Sequence, residues 1–216
     1  MPAGVRGSRH WSFIRLGCAT YPVPDGTRNT VGRHKGSPYK SLRIIENRAL
    51  SNREFRRCSL PELEHLLEEL LREEQEIQLS DFSNTTAIAV GRRILELATK
   101  EKLPITIDVC RNGQQLFHAA LPGTSRDNDK WIKRKNRVVN HFGHSSYYMG
   151  TRYKSQGSTI EVKSLLPEAE YAPHGGAFPV IIRNVGVVGT VTVSGLAQEE
   201  DHGLVVRVLR EFVAGG

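Results

Sequence analysis

Hydrophobic and polar positions alternate with two different periods along this chain, and the change of period marks its elements. Leu63, Leu66, Leu67, Leu70 and Leu71 fall at i, i+3, i+4, i+7 and i+8, one stripe of a helix. Ser59-Leu60-Pro61-Glu62 is a start signal for it: a capping serine, a proline tolerated in the first turn, and a glutamate able to reach back. The other side carries Glu64, Glu68, Glu69, Glu73 and Glu74 and reads as a solvated face. The stripe is expected to cover a sheet. Glu76 to Leu79 reads as a short strand. A second helix is predicted from a cap near Ser83 to about Lys100, with Ala87, Val90, Ile94 and Leu97 inward and Gly91 allowing a close neighbour.

The period then drops to two. Ile105, Ile107 and Val109 point one way, and Asn112-Gly113 is the strongest hairpin signal in the chain. A two-residue loop pairs Arg111 with Gln114, Val109 with Leu116 and Ile107 with His118. That register places His118 on the apolar face, as a hydrogen-bonded core histidine, and Asp108 on the opposite one, so the two form no dyad. A further helix, capped by Ser125 or Asp127, carries Trp131, Val138 and Phe142 on one side. Ser158 to Leu166 fits a strand or a short helix. Phe178–Arg183 and Val187–Val193 flank Asn184-Val185-Gly186 and predict a second hairpin, with Gly186 left-handed in a glycine bulge. Apolar residues on both faces of its strands predict a central place in the sheet. Leu204, Val205, Val208, Leu209 and Phe212 close the chain at helical spacing. The sum is an α+β domain with five candidate strands in a mainly antiparallel sheet flanked by helices.

Charge adds a division. The net +7 hides +9 over residues 1–60 and −2 over the rest. Residues 1–58 mix Gly, Pro, Arg and Ser without a lasting hydrophobic period, so a basic disordered extension is expected, followed by a domain over 59–216. A cytoplasmic protein with a basic tail is expected; the alternative is a mitochondrial one, since Arg6, Arg9 and Arg15 with no acid before Asp25 also resemble a transit signal, although Pro2, Gly4 and Gly7 weaken the amphipathic helix it needs. Scattered cations without an aromatic series, and a near-neutral domain, argue against nucleic acid. No run reaches the 18 or so apolar residues of a membrane span. Cys18, Cys58 and Cys110 are odd in number, widely spaced and without metal-ligand spacing, which suits a reducing compartment.

Chemistry concentrates between Pro122 and Gly176. Lys130, Lys133, Arg134, Lys135 and Arg137 crowd one helix, and five cations in eight residues favour a phosphate or carboxylate nearby. His141 and His144 follow, and His174-Gly175-Gly176 enters the last hairpin. Paired glycines let backbone approach a ligand, a neighbouring subunit or a packed helix. The sequence contains no glycine-rich phosphate loop, nucleophile elbow or zinc-protease motif.

The element order, the helix holding Trp131-Ile132-Lys133-Arg134-Lys135, and the blocks His174-Gly175-Gly176-Ala177-Phe178-Pro179 and Gly189-Thr190-Val191-Thr192-Val193-Ser194-Gly195 resemble the HbpS/GlcG-like family, in its bacterial–fungal branch. The likeness covers about Ser59 to Gly216. It implies a five-stranded antiparallel sheet flanked by helices, assembly into large homo-oligomers, and a relation to haem binding or degradation. It transfers no catalytic residue. On that footing His141, His144 and His174 are candidate haem ligands, Lys133, Arg134 and Arg137 candidate partners of the propionates, and Gly175 and Gly176 candidate lining. A competing reading is a non-enzymatic oligomeric scaffold or adaptor for protein partners, in chaperone or protein-targeting assemblies. Enzymatic activity ranks below both, because no nucleophile–base spacing is visible.

Overall fold

A computed structural model describes residues 59–214. The readings placed on residues 1–58 lie outside the described residues. In order, the elements are α1 (Leu60–Glu76), α2 (Asn84–Glu101), β1 (Thr106–Arg111), β2 (Gln114–Ala120), α3 (Arg126–Phe142), α4 (Ser146–Ser155), α5 (Ile160–Ser164), β3 (Ala177–Ile182), β4 (Gly186–Ser194) and α6 (Gln198–Ala214). The strands form one antiparallel sheet in the order β2-β1-β4-β3. It has four strands rather than the expected five. The missing one, at Glu76–Leu79, is reduced to a single parallel bridge from Leu79 to Ile182. Leu79 donates to the Ile181 carbonyl at 2.9 Å and accepts from Arg183 N–H at 3.0 Å, so it covers one end of the β3 edge. The stretch 158–166 resolves as the helix α5.

One face of the sheet is apolar. Ile107, Val109, Val191, Val193, Phe178 and Val180 pack against Ala87, Val90 and Ile94 of α2 and Val205, Val208 and Leu209 of α6, all buried. The alternation read from the sequence put Ile107 and Val109 on one side, and burial of the methyl groups of all these residues supplies the main driving force. Gly91 does what its position implied: a Cβ there would collide with the Phe117 ring. The other face is polar yet equally buried, under α3: Thr106, Asp108, Thr190, Thr192 and Ser194 are all 5% exposed or less. That layer departs from the expectation of apolar residues on both faces. Central placement holds for β4 and not for β3, which is an edge strand.

Several local readings hold and others fail; the bulge expected at Gly186 falls instead at Val188, which is left unpaired between Val187 and Gly189. Asn112 and Gly113 both adopt positive φ, 48° and 81°, as the tight turn requires, and Gly186 stands at 104°. Arg111 pairs with Gln114 as expected. Beyond that, Leu116 is left unpaired in a bulge, so Val109 faces Phe117 and Asp108 faces His118. One extra residue moves every later side chain to the opposite face. His118 therefore leaves the apolar side, stands exposed, and joins Asp108 on the polar one. The leucine stripe of α1 also changes role. It packs on α4 rather than on the sheet.

The Gly91 contact yields a stability prediction. Gly91→Val forces branched carbons into the Phe117 ring and is expected to lower the unfolding free energy by about 1–3 kcal/mol. A urea melt measures it; an unchanged midpoint would refute the packing described.

Candidate functional site

The polar layer is organised by α3. Ser125 starts the helix: its hydroxyl accepts from Asp127 N–H at 3.3 Å, and Asn128 Oδ1 accepts from Ser125 N–H at 2.9 Å. One turn on, Trp131 Nε1 donates to Asp127 at 3.1 Å, which fixes the indole against the helix. Lys135, read from sequence as one of a crowd of surface cations, is 3% exposed. Its ammonium donates to Asp201 Oδ2 at 2.9 Å and to the Val193 carbonyl at 3.1 Å. Asp201 also accepts from Gly195 and Leu196 N–H at 3.4 and 3.1 Å. One ion pair thus joins α3, the end of β4 and the start of α6. Burial pulls the Lys135 ammonium below its usual range, and burial likewise pushes the Asp201 carboxyl up, each against its partner's attraction. In both, loss of hydration outweighs the mutual attraction, as is usual for a buried pair.

Above this pair lies an open cleft of about 390 Å³, lined among others by Asn128, Trp131, Lys135, His174, Ser194 and Gln198. That volume falls within the range of small-molecule sites. His174 stands at its mouth, exposed, with its ring edge-on to Trp131 at 5.3 Å between centroids. Among the described residues no hydrogen bond engages the His174 ring nitrogens. Loss of solvent on its inner side, and then the charges of Lys135 and Arg134, lower its pKa. The neutral imidazole is favoured, and that is the form that donates a lone pair.

Gly175 and Gly176 are explained from within the chain. A Cβ at Gly175 would collide with the Gln198 carbonyl; one on Gly176, which holds φ 125°, would meet the Val193 carbonyl and the Lys135 ammonium. Both glycines make room for packed chain, the start of α6 and the buried cation beside it, and Gly175 also lines the cleft.

The remaining candidates disperse. Arg134 lies over the Trp131 ring at 4.4 Å, and its Nε and Nη2 donate to the Glu168 carbonyl at 3.1 and 2.6 Å. Arg137 donates to the Glu170 carbonyl and carboxylate, both at 3.3 Å. The two arginines strap down the connection that delivers His174. With Lys130 and Lys133, Arg134 and Arg137 line a second groove of about 450 Å³, which shares Asp127 with the first. His141 is exposed and packs edge-on against Phe142 and Tyr171. His144 meets Glu74 at 2.6 Å, and Glu74 also accepts from Ser145 N–H at 2.7 Å. Glu74 is therefore buried, not solvated, and Glu73 likewise engages His202 at 2.9 Å.

The bulge in β2 builds a second polar cluster. Asp108, 2% exposed, accepts from Asn136 Nδ2 at 2.9 Å, from Gln115 Nε2 at 2.5 Å and from the Cys110 thiol at 3.1 Å. His118 stands 3.8 Å from Asp108 and 3.3 Å from Asp129. The expectation that Asp108 and His118 point apart is thus overturned, because the extra residue flips His118 across the sheet. Cys110 supplies no thiolate there: burial raises its pKa to about 12. Among the described residues no group of three His, Cys, Asp or Glu is placed to hold a metal, and no helix is long and apolar enough to cross a membrane.

Residues 82–210 match the family model described as haem degrading protein HbpS-like. The UPF0303 protein SCO2848 of Streptomyces coelicolor is 51% identical over 145 residues, covering 67% of this chain and 92% of that protein. Among solved structures, Ybr137w superposes with a TM-score of 0.65 at 37% identity, over 69% of this chain and 88% of that one. PduOC, solved as a haem complex, superposes at 0.50 with 14% identity, over 61% and 94%; it shares the fold.

The buried pair sets this subsection's prediction. Lys135→Met strands the Asp201 carboxylate and is expected to cost about 3–5 kcal/mol of stability. Adding Asp201→Asn removes that charge while keeping an acceptor for the two amides, so the double variant is expected to melt above the single one. A double variant no more stable than Lys135→Met would refute this account.

Proposed function

The chain belongs to the HbpS-like family, and from that premise we propose that it binds haem or a related small anionic ligand at the Trp131 cleft, with His174 as the ligand to iron. The observation that carries this reading is the state of His174. Iron takes an unprotonated imidazole as axial ligand, and His174 combines free ring nitrogens, exposure at a cleft mouth and a lowered pKa. His144 is engaged by Glu74, and His141 is packed on Tyr171 away from the cleft residues. The sequence alone ranked the three equally.

Shape and charge support the same reading. Trp131 offers an aromatic surface of the kind on which a planar macrocycle packs. The ridge of Trp131 and Arg134 stands beside both grooves, so a ligand wider than the first extends over it toward the second. Arg134 spends Nε and Nη2 on the Glu168 carbonyl and keeps Nη1 for a carboxylate at that rim. When bound, haem would supply its own redox chemistry; the protein's part is to hold the ring, present the imidazole and screen one face from water.

Titration of the full chain with haemin tests the reading. A Soret shift is expected, lost in His174→Ala and retained in His141→Ala and His144→Ala. Because the imidazole of His174 resists protonation, the ligated spectrum is expected to persist as pH falls through about 6.5, the ordinary histidine value. A Soret shift that survives His174→Ala removes the proposal.

A further inference from the structure

Helix α3 carries a stripe of cations at the spacing that an apolar packing face would use. Lys130, Lys133, Arg134 and Arg137 fall at i, i+3, i+4 and i+7, so they share one side of the helix. Lys130, Lys133 and Arg137 are exposed, and this side faces away from the sheet. With Glu168 and Ala169 of the connection that follows α5, and with Asp127, the four cations line a groove of about 450 Å³. Two carboxylates therefore stand among four cations. Asp127 already accepts from Trp131 Nε1 at 3.1 Å.

Two of the cations are anchored and two are not. Arg134 lies over the Trp131 ring at 4.4 Å and gives Nε and Nη2 to the Glu168 carbonyl, which fixes its plane. Arg137 is tied to Glu170 through Nη1 alone. Among the described residues Arg134 Nη1 and Arg137 Nη2 make no hydrogen bond, and Lys130 and Lys133 have no hydrogen-bond or ion-pair partner. Like charges within one or two turns repel each other, and the buried Lys135 keeps the helix that carries them from shifting. A fixed set of donors without acceptors of its own is suited to an anion, and guanidinium and ammonium together suit phosphate oxygens.

Spacing narrows the class of anion. At about 1.5 Å rise per residue the stripe runs about 10 Å from Lys130 to Arg137, longer than one phosphate covers. Linked phosphates reach successive turns of the helix. Asp127 and Glu168 within the groove, and a domain near neutral overall, oppose the continuing charge of a nucleic acid. We propose that the α3 groove binds the diphosphate group of a small phosphorylated molecule. Lys130 and Lys133 supply charge, and the unused edges of Arg134 and Arg137 supply direction. Neither lysine enters the haem reading, which rests on His174 and Trp131, so the two sites are separable.

Isothermal titration of the full chain with inorganic pyrophosphate tests this, with orthophosphate as the comparison. Pyrophosphate is expected to bind at least about tenfold more tightly, since it gains a second set of charge-assisted hydrogen bonds. Lys130→Gln/Lys133→Gln is expected to weaken it by about tenfold or more. Arg92→Gln/Lys100→Gln removes two exposed cations from α2 and is expected to change nothing. His174→Ala is expected to leave pyrophosphate binding intact, so a failed haemin titration does not touch this result. Absence of binding heat, equal affinity for the two phosphates, or an equal loss in the α2 variant would each overturn the proposal. So would a single-stranded oligonucleotide that binds through the same lysines more tightly than pyrophosphate. Circular dichroism of every variant confirms that lost binding is not lost fold.

Discussion

The Lys135–Asp201 pair is the constraint on which the polar half of this fold depends. It sits where α3, the exit of β4 and the entry of α6 converge, and it leaves no freedom for what surrounds it. Gly176 must lack a side chain because the ammonium occupies that space, and Gly175 must lack one because α6 begins there. The turn carrying His174 is thereby pressed against the cation from one side. Ser146 holds it from the other, donating to the His174 carbonyl and accepting from Ala177 N–H at 3.1 Å. Burying the pair is costly in itself, for hydration is lost on both ions. What that cost secures is a fixed backbone around a histidine whose own ring is left free.

The sheet explains how such a pair can exist. A strand alternates its side chains, so a sheet covered on both sides normally reads as continuous apolar runs. Here β1 and β4 keep strict alternation although both faces are covered: Ile107, Val109, Val191 and Val193 face one helix layer, and Asp108, Thr192 and Ser194 face α3. Asp108 and Thr192 on the polar side are met by side chains of α3, whereas the Thr106 and Thr190 hydroxyls are buried with no hydrogen-bond partner among the described residues. Asn136 donates to Asp108 and accepts from the Thr192 hydroxyl, and Asn128 donates to the Ser194 carbonyl at 3.1 Å. In low-dielectric surroundings such a network specifies one docking of helix on sheet more sharply than methyl groups would. It also means that helix α3 has polar residues on both its inner and outer sides, which is why its pattern reads ambiguously in sequence.

That ambiguity marks the boundary of what the sequence discloses. Periodicity located α1, α2, α3 and α6, both hairpins, the Ser59, Ser83 and Ser125 caps and the left-handed Gly186, because each is fixed by neighbours a few residues away; α4, whose residues carry no clear apolar stripe, was not read. The HbpS-like assignment was legible from the two glycine-bearing blocks. Three features were not legible, and each depends on a long-range partner. Nothing local distinguishes Lys135 from Lys133; only Asp201, 66 residues away, does so. Glu74 looks like the other acids of α1 until α4 brings Ser145 and His144 to it. The bulge at Leu116 follows a turn that was itself correctly read, and a slip of one residue was enough to move His118 to the wrong face.

The same distinction sorts the candidate ligand residues. Sequence proximity grouped His141 with His144 and spread the arginines along one face, as though all waited for a ligand. The fold spends most of them on itself: His144 on α1, Arg134 and Arg137 on the strap ending at His174. Polar residues near a site are expected to be satisfied by their own chain first, since an unpaired buried group costs more than a made hydrogen bond returns. The residues left over then carry the information. On the cleft side these are the His174 ring and the open face of Trp131; on the outer side they are Lys130 and Lys133. The cleft side and the outer side of α3 thus differ in chemistry, and the buried lysine between them keeps the two surfaces in fixed relation.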